Sequence, residues 1–372
     1  MTRRDFLSSS STAVALAAAD SLLAAPGRKT RNLILVTSDG LRWQDLFNGI
    51  DPLLMKEKST GMGDSAGASR RERLWKPQAE ERRLVLMPFF WGTLATQGVV
   101  LGNVQKGSSV QVTNRYRVSY PGYSEIMTGR AQDETIRGND AVQNPTPSFL
   151  QFVREQWKLP KEKVAVFGSW DMFHYICENR RGEIYINAGY EESALPEADQ
   201  QVALINKLQM QARYIDDSAR HDAFTFGLAF EYLRNVQPRL LYVTFDETDD
   251  WAHSRRYDCV LDSIQFVDAS LRQLWEWVQN SPTYRDSTTL IVTCDHGRGS
   301  TVEDWHSHGE EVHGAEQIWI ATAGPDTPAI GEVTGGPEWH QRDIAPTALE
   351  LLGVDGANYA GMLGKPIATA LK

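Results

Sequence analysis

Cysteine is scarce. The three in the chain, Cys177, Cys259 and Cys294, show no C-x-x-C spacing and leave one thiol over from any pairing. That excludes a disulfide scaffold and a cysteine zinc site. Long apolar runs are missing too: beyond the first 25 residues, nothing approaches the roughly 18 apolar residues needed to cross a bilayer. Basic charge is in deficit, with 38 Lys and Arg against 48 Asp and Glu in 372 residues and a formal net charge of −10. An acidic surface repels phosphate backbones, so a protein that coats nucleic acid is excluded. What is present is ordinary globular material. Hydrophobic residues make up 41% and charged residues 23%, which suits a self-made core and not a disordered, collagen-like or coiled-coil chain.

Thr2-Arg3-Arg4-Asp5-Phe6-Leu7 leads into a serine run and then a mostly apolar stretch from Ala13 to Ala25. A basic start, a short apolar region and small residues near Ala24-Ala25 predict an export signal over 1–25, with 26–372 as the folded domain. The paired arginines followed by Phe-Leu resemble a twin-arginine signal, which the export machinery reads and which is not an anchor. That resemblance implies a bacterial periplasmic or secreted protein, exported already folded.

Within 26–372, Asn32 to Thr37 (NLILVT) is a continuous apolar, β-rich run of the kind buried on both faces of a sheet. Similar runs recur at Lys163 to Phe167, Leu240 to Phe245, Thr289 to Thr293 and Gln317 to Thr322, with helical patterns over 147–157, 198–236 and 256–279 between them. The alternation predicts an α/β fold: a largely parallel central sheet with helices on both faces, as one domain with insertions. Residues 51–82 are charged, contain Gly and Ser and lack an apolar period, which predicts a surface insertion or lid.

Three of these strands run into acidic motifs: Ser38-Asp39-Gly40, Asp246-Glu247-Thr248-Asp249-Asp250 and Cys294-Asp295-His296-Gly297. Ligands of open α/β sheets bind beyond the carboxyl ends of the strands, so Asp39, Asp249 and Asp295 are expected in one place. A lone Asp after a strand is usually a helix cap, but three such ends coinciding is a pattern. Crowded carboxylates repel unless a cation compensates. Asp249 and His253, four apart, share one face of a helical turn. Asp295 and His296 are adjacent, and His313 follows. The mixed nitrogen and oxygen donors suit Zn²⁺, with Mn²⁺ or Fe as lesser candidates.

TSDG after the first strand, D-x-x-x-H at 249–253, DHG at 295–297 and a late His-Gly before a strand ending in Gly324-Pro325 resemble the alkaline phosphatase superfamily. Asn114 to Tyr123 (NRYRVSYPGY), followed by Met127-Thr128-Gly129, resembles its nucleophile segment, nearest the nucleotide pyrophosphatase/phosphodiesterase branch. Gln341 to Thr347 and Leu351-Leu352-Gly353 resemble its closing helix. The resemblance runs from 32 to 353. It implies two divalent metal ions about 4 Å apart, clamping an in-line displacement. Asp249, His253 and His313 would hold one; Asp39, Asp295 and His296 would hold the other, beside Ser119. Ser119, activated by metal coordination at the start of a helix whose N–H groups receive an anion, would attack phosphorus and form a phosphoserine that water then hydrolyses. A small phosphate ester, diester or monoester, is the implied substrate.

Departures from that pattern matter. The phosphodiesterase branch has threonine where Ser119 stands. Its phosphate-binding asparagine matches Asn139 loosely, with Asn144 as an alternative. Sulfatases share the fold but need C/S-x-P-x-R, and here the last position is Tyr123. Arg115, Arg117 and Arg298 are candidate phosphate clamps. His306 and His308 compete with His313, which the spacing to Gly324 favours; with Trp305 they would otherwise line the substrate mouth. Trp43, Trp170, Trp251 and Asp171 flank strand ends. The rival readings are a metal-dependent phosphotransferase or phosphomutase, a sulfatase-like hydrolase, and a non-catalytic secreted metal-binding protein.

Overall fold

The computed structural model describes residues 27–63, 65–194, 199–213, 218–359 and 361–372; the expected export signal over 1–25 lies outside them. The strands are β1 (Asn32–Ser38), β2 (Gly98–Leu101), β3 (Val110–Gln111), β4 (Val164–Gly168), β5 (Tyr185–Ala188), β6 (Leu240–Phe245), β7 (Thr288–Thr293), β8 (Ile320–Ala323), β9 (Gly331–Glu332) and β10 (Trp339–His340). Eight of them form one sheet in the order β5-β4-β6-β1-β7-β8-β2-β9, while β3 and β10 pair separately. The five strands from β5 to β7 are mutually parallel. The exception is β8, which runs antiparallel to both β7 and β2. The expected fold class is therefore the observed one.

Side chains alternate between the two faces of a strand, and every residue of β1, β6 and β7 is buried. Both faces of the sheet centre are thus covered, which is why these strands read as unbroken apolar runs. Helices Phe149–Trp157 and Asp222–Val236 pack on β4, and helix Ile344–Leu352 packs on β1. The helix 149–157 is closed by a reciprocal cap, in which Ser148 accepts from the Gln151 amide and Gln151 accepts from Ser148. The expected helical stretch 198–236 divides into Gln200–Gln211 and Asp222–Val236. Neither β2 nor β5 stands out in the sequence, both being four residues long.

Helix Ser65–Leu74 buries Leu74 completely and lies against helix Tyr257–Asn280, where Arg70 Nε donates to Asp262 Oδ1 at 2.9 Å. Among the described residues, no helix is long and apolar enough to cross a membrane.

The register places the site. In β1, Thr37 stands opposite Thr244 of β6 and Thr293 of β7. Two residues further along the three chains stand Asp39, Asp246 and Asp295. Three adjacent parallel strands therefore deliver carboxylates at one level, and helix Glu247–His253 leaves directly from the end of β6.

Candidate metal centre and active site

Asp39 and Asp295 are buried at 1% and 0% exposure. Asp39 Oδ2 accepts from the Tyr123 hydroxyl at 3.0 Å, and Asp295 Oδ1 accepts from the Gly40 amide at 3.0 Å. Their other oxygens, Asp39 Oδ1 and Asp295 Oδ2, have no hydrogen-bond partner. Buried polar atoms are nearly always satisfied, so two orphaned carboxylate oxygens facing one imidazole fit a site for a cation. Both face His296 Nε2, at 3.3 and 3.4 Å. Burial alone would lower the His296 pKa, but Asp295 and Asp39 outweigh it and raise it to about 9. Burial and the neighbouring Asp39 push the Asp295 carboxyl well above its ordinary value.

The histidine tautomers are set by main-chain carbonyls. His296 Nδ1 donates to Gly297 O at 2.9 Å, which turns Nε2 towards the carboxylates. His308 Nδ1 donates to Arg117 O at 3.0 Å, and its Nε2 lies 2.9 Å from His253 Nε2. Such a carbonyl partner on the far nitrogen is the usual way a ligating imidazole is oriented. The rings of His296 and His308 stack with centroids 3.8 Å apart. Asp249 stands between: Oδ2 is 3.0 Å from His253 Nε2, and Oδ1 is 3.7 Å from His296 Nε2 and 3.8 Å from His308 Nε2. The donor atoms form two groups able to hold a cation, Asp249 with His253 and His308, and Asp39 with Asp249 and His296. Asp295 borders the second.

His313 is not among them. Its side chain is 90% exposed and pairs with Glu316 at 3.5 Å. The chain turns between Gly309 and Ala315, where Val312 N donates to Gly309 O and Ala315 N to Val312 O, and this turn carries His313 out to solvent. The following strand also starts later than expected, at Ile320 instead of Gln317. His308, and not His313, is the histidine that reaches His253 and Asp249. The Asp-Trp-His-Ser-His run is the signal for it, and its neighbour Trp305, 2% exposed, packs edge-on against Tyr257.

Ser119 opens helix Ser119–Thr128 and is 6% exposed, with its Oγ 3.4 Å from His296 Nε2. Gly122 lets this helix lie against the Asp295 main chain, since a Cβ there would press into the Asp295 carbonyl. One turn below Ser119, Tyr123 is the residue that donates to Asp39. Thus the position where a sulfatase pattern needs arginine carries a buried phenol. Asn139 is exposed, and its Oδ1 accepts from the Tyr120 amide at 2.9 Å, so it caps the helix that Ser119 begins. Asn144 is 1% exposed and donates to Ser124 Oγ and to Ile176 O inside the fold. It is a structural residue.

The loop before Ser119 has a support that is not obvious from sequence. Glu125, fully buried, accepts from five donors: Thr113 N and Oγ1, Asn114 N and Nδ2, and Arg342 N. Asn114 Oδ1 in turn accepts from Arg117 N at 2.8 Å, and Arg117 adopts the left-handed φ of 51°. Of the candidate clamps, Arg115 pairs with Glu310 and Arg117 with Glu316. Arg298 is 1% exposed and donates to Asp249, and burial pulls its pKa down to about 9.

A family model described as the metalloenzyme superfamily matches residues 228–356. Over 129 residues the chain is 28% identical to a 2,3-bisphosphoglycerate-independent phosphoglycerate mutase of Haloquadratum walsbyi (strain DSM 16790 / HBSQ001). That match covers 34% of this chain and 24% of the mutase, so it spans about a quarter of this curated relative's length. The fold is similar to that of wild-type alkaline phosphatase PafA, with a TM-score of 0.60 and 11% identity over 94% of this chain and 100% of that one. It is also similar to murine ectonucleotide pyrophosphatase/phosphodiesterase 5, with a TM-score of 0.53 and 14% identity over 89% and 97% of the two chains. The metalloenzyme-superfamily match is confined to 228–356, and the solved structures show that the chain has an alkaline-phosphatase-like fold.

Proposed function

We propose that the protein is a two-metal hydrolase of phosphate esters that works through a covalent phosphoserine on Ser119. The observation that carries this reading is the position of Ser119 Oγ, 3.4 Å from His296 Nε2, at a helix N-terminus beside the orphaned oxygens of Asp39 and Asp295. Asp249, His253 and His308 would hold one divalent cation, and Asp39, Asp295 and His296 the other. Zinc suits these donors best. When bound, the cations would stabilise charge on the attacking and leaving oxygens and favour the ionised serine.

The chain's own groups do the rest. The Ser119 amide would donate to the anion that Ser119 attacks, since Tyr120 N is taken by Asn139 Oδ1, Pro121 has no N–H and Gly122 N donates to Val118 O. The Asn139 carboxamide, held at the same helix end through its Oδ1, would donate from Nδ2 to a phosphate oxygen. Tyr123 keeps Asp39 oriented and leaves no cation at the position a sulfatase needs.

The test is incubation with aryl phosphate mono- and diesters, with mass spectrometry of the quenched protein. A phosphorylated peptide containing Ser119, absent in Ser119→Ala, is the expected result, with turnover lost and metal content retained. Turnover by Ser119→Ala within about tenfold of wild type would remove the serine as nucleophile. A second reading, transfer of the phosphoryl group to an acceptor hydroxyl, is favoured by the mutase match over 129 residues. It would show as a phosphorylated acceptor formed at the expense of inorganic phosphate. We also propose export to the periplasm, on the twin-arginine-like start of the chain. Cell fractionation of the full-length protein and of an Arg3→Lys, Arg4→Lys variant tests it, and an unchanged distribution would overturn it.

A further inference from the structure

Arg298 lies between the segments that carry the ligands, and its fork reaches several of them. Nη2 donates to the Asp249 carboxylate at Oδ1 and to the Asp249 carbonyl at 3.3 Å. Nη1 donates to the His306 carbonyl at 2.6 Å, two residues before His308. Nε lies over Gly40, next in sequence to Asp39. Gly40 has φ +56°, and a Cβ there would come within 2.7 Å of Arg298 Nε, 3.0 Å of its Nη2 and 2.8 Å of Asp249 Oδ1. The turn after β1 is therefore built around this guanidinium.

Asp249 is within reach of both ligand groups, so a free carboxylate there could serve either. With Oδ1 engaged by Arg298, it presents Oδ2 to His253 at 3.0 Å. We propose that Arg298 is a positioning residue that assigns Asp249 to one metal site: it holds Oδ1 and the His306 carbonyl, so that Oδ2 and the His308 loop serve the His253 group. Asp39 and Asp295 are then left to the His296 group. At 1% exposure the guanidinium is closed to substrate, so its role is exerted on ligands and not on phosphate. A planar fork reaches these acceptors at once; a lysine ammonium, a point charge on a flexible stem, would not. This role rests on the metal-centre reading above.

The test is a zinc titration of metal-free full-length protein against a chromophoric chelator, with the melting temperature of each metal-free variant. Wild type is expected to take two equivalents. Arg298→Met should keep one at wild-type affinity and weaken the other by about 10- to 100-fold, and Arg298→Lys should not restore it. Gly40→Ala, which keeps the guanidinium but crowds it, should weaken the same equivalent. That variant decides the matter if Arg298→Met does not fold. Two equivalents bound as tightly as in wild type, or both lost alike, would overturn the assignment while leaving the metal centre standing. Wild-type protein that takes up no zinc would instead overturn the metal centre itself, and this role with it.

Discussion

The carbonyl oxygen of Arg117 accepts a hydrogen bond from Nδ1 of His308 at 3.0 Å. One bond thus joins the turn that leads into Ser119 to the loop that carries His308. It also fixes the His308 tautomer, because a carbonyl can only accept, and the lone pair is left on Nε2 facing His253 and Asp249. His308 sits on an irregular loop, with no helix or strand to aim it.

His308→Ala should therefore remove about one equivalent of bound metal and lower ester hydrolysis by more than about 100-fold. Partners of ligating histidines already cost 10- to 100-fold, and the ligand itself should cost more. His313→Ala, at a solvent-exposed turn, should leave metal content, activity and stability unchanged to within about 0.5 kcal/mol. Metal analysis of the two variants side by side checks this; loss of metal from the His313 variant would reverse the assignment.

The same turn is held from behind by Glu125. In Glu125→Gln, an amide NH₂ replaces one accepting oxygen and meets N–H donors head-on. Leaving a buried donor unmatched costs about 1–3 kcal/mol, so the unfolding free energy should fall by that amount and the urea midpoint should fall with it. Hydrolysis should fall as well, because Asn114 and Arg117 lose their anchor and Ser119 loses its fixed distance from His296. An unchanged midpoint would show that the five donors to Glu125 are replaceable by water.

Much of the centre was legible in the sequence because strand ends are local signals. Asp39, Asp295 and His296 come at the ends of apolar runs, Asp249 lies in the first turn of the helix after one, and the parallel register of β6, β1 and β7 brings such ends to one level. His253 followed from helical spacing. Distance along a loop is harder to read: counting back from Gly324 selects His313, whereas the path of 299–315 is set by contacts made elsewhere in the chain. Trp305 against Tyr257 and His308 against Arg117 are pairings of high sequence separation, which leave no local pattern. Glu125 and Arg298 were obscured for a related reason. A charged residue in a helix, or after a metal motif, reads as solvated unless its burial is known. Similarly, β2 and β5 are too short to stand out by periodicity.

Acid should weaken the sheet edge at β9 in a defined way. Burial alone would raise the Glu332 carboxyl, but hydrogen bonds from Arg83, Lys106 and Asn103 outweigh it and hold it below the ordinary value of 4.5. A depressed folded-state pKa contributes stability above the unfolded value and loses it as pH falls through the folded one. Wild type should thus be more stable than Glu332→Gln near neutral pH. The difference should shrink as the pH drops below 4.5, as read by urea midpoints across that range. A difference that stays constant with pH would assign the effect to packing.

Gly122→Ala sets two effects against each other. Alanine is the better helix former by about 1 kcal/mol, and Gly122 lies inside helix Ser119–Thr128, so local propensity favours the change. Packing opposes it. The added Cβ would press into the Asp295 carbonyl oxygen, which is main chain and which also accepts from Gln341 Nε2 at 2.5 Å; neither partner has room to withdraw. Relief requires the helix to move away from the end of β7, taking Ser119 away from His296. Stability should therefore change little or fall, while hydrolysis drops by at least about tenfold even with the metal content intact, since displacement of a reacting group by an ångström costs on the order of 100-fold. Full activity in a stabilised Gly122→Ala protein would mean that the helix does not need this close approach, and that the position of Ser119 is set by the Glu125-anchored loop alone.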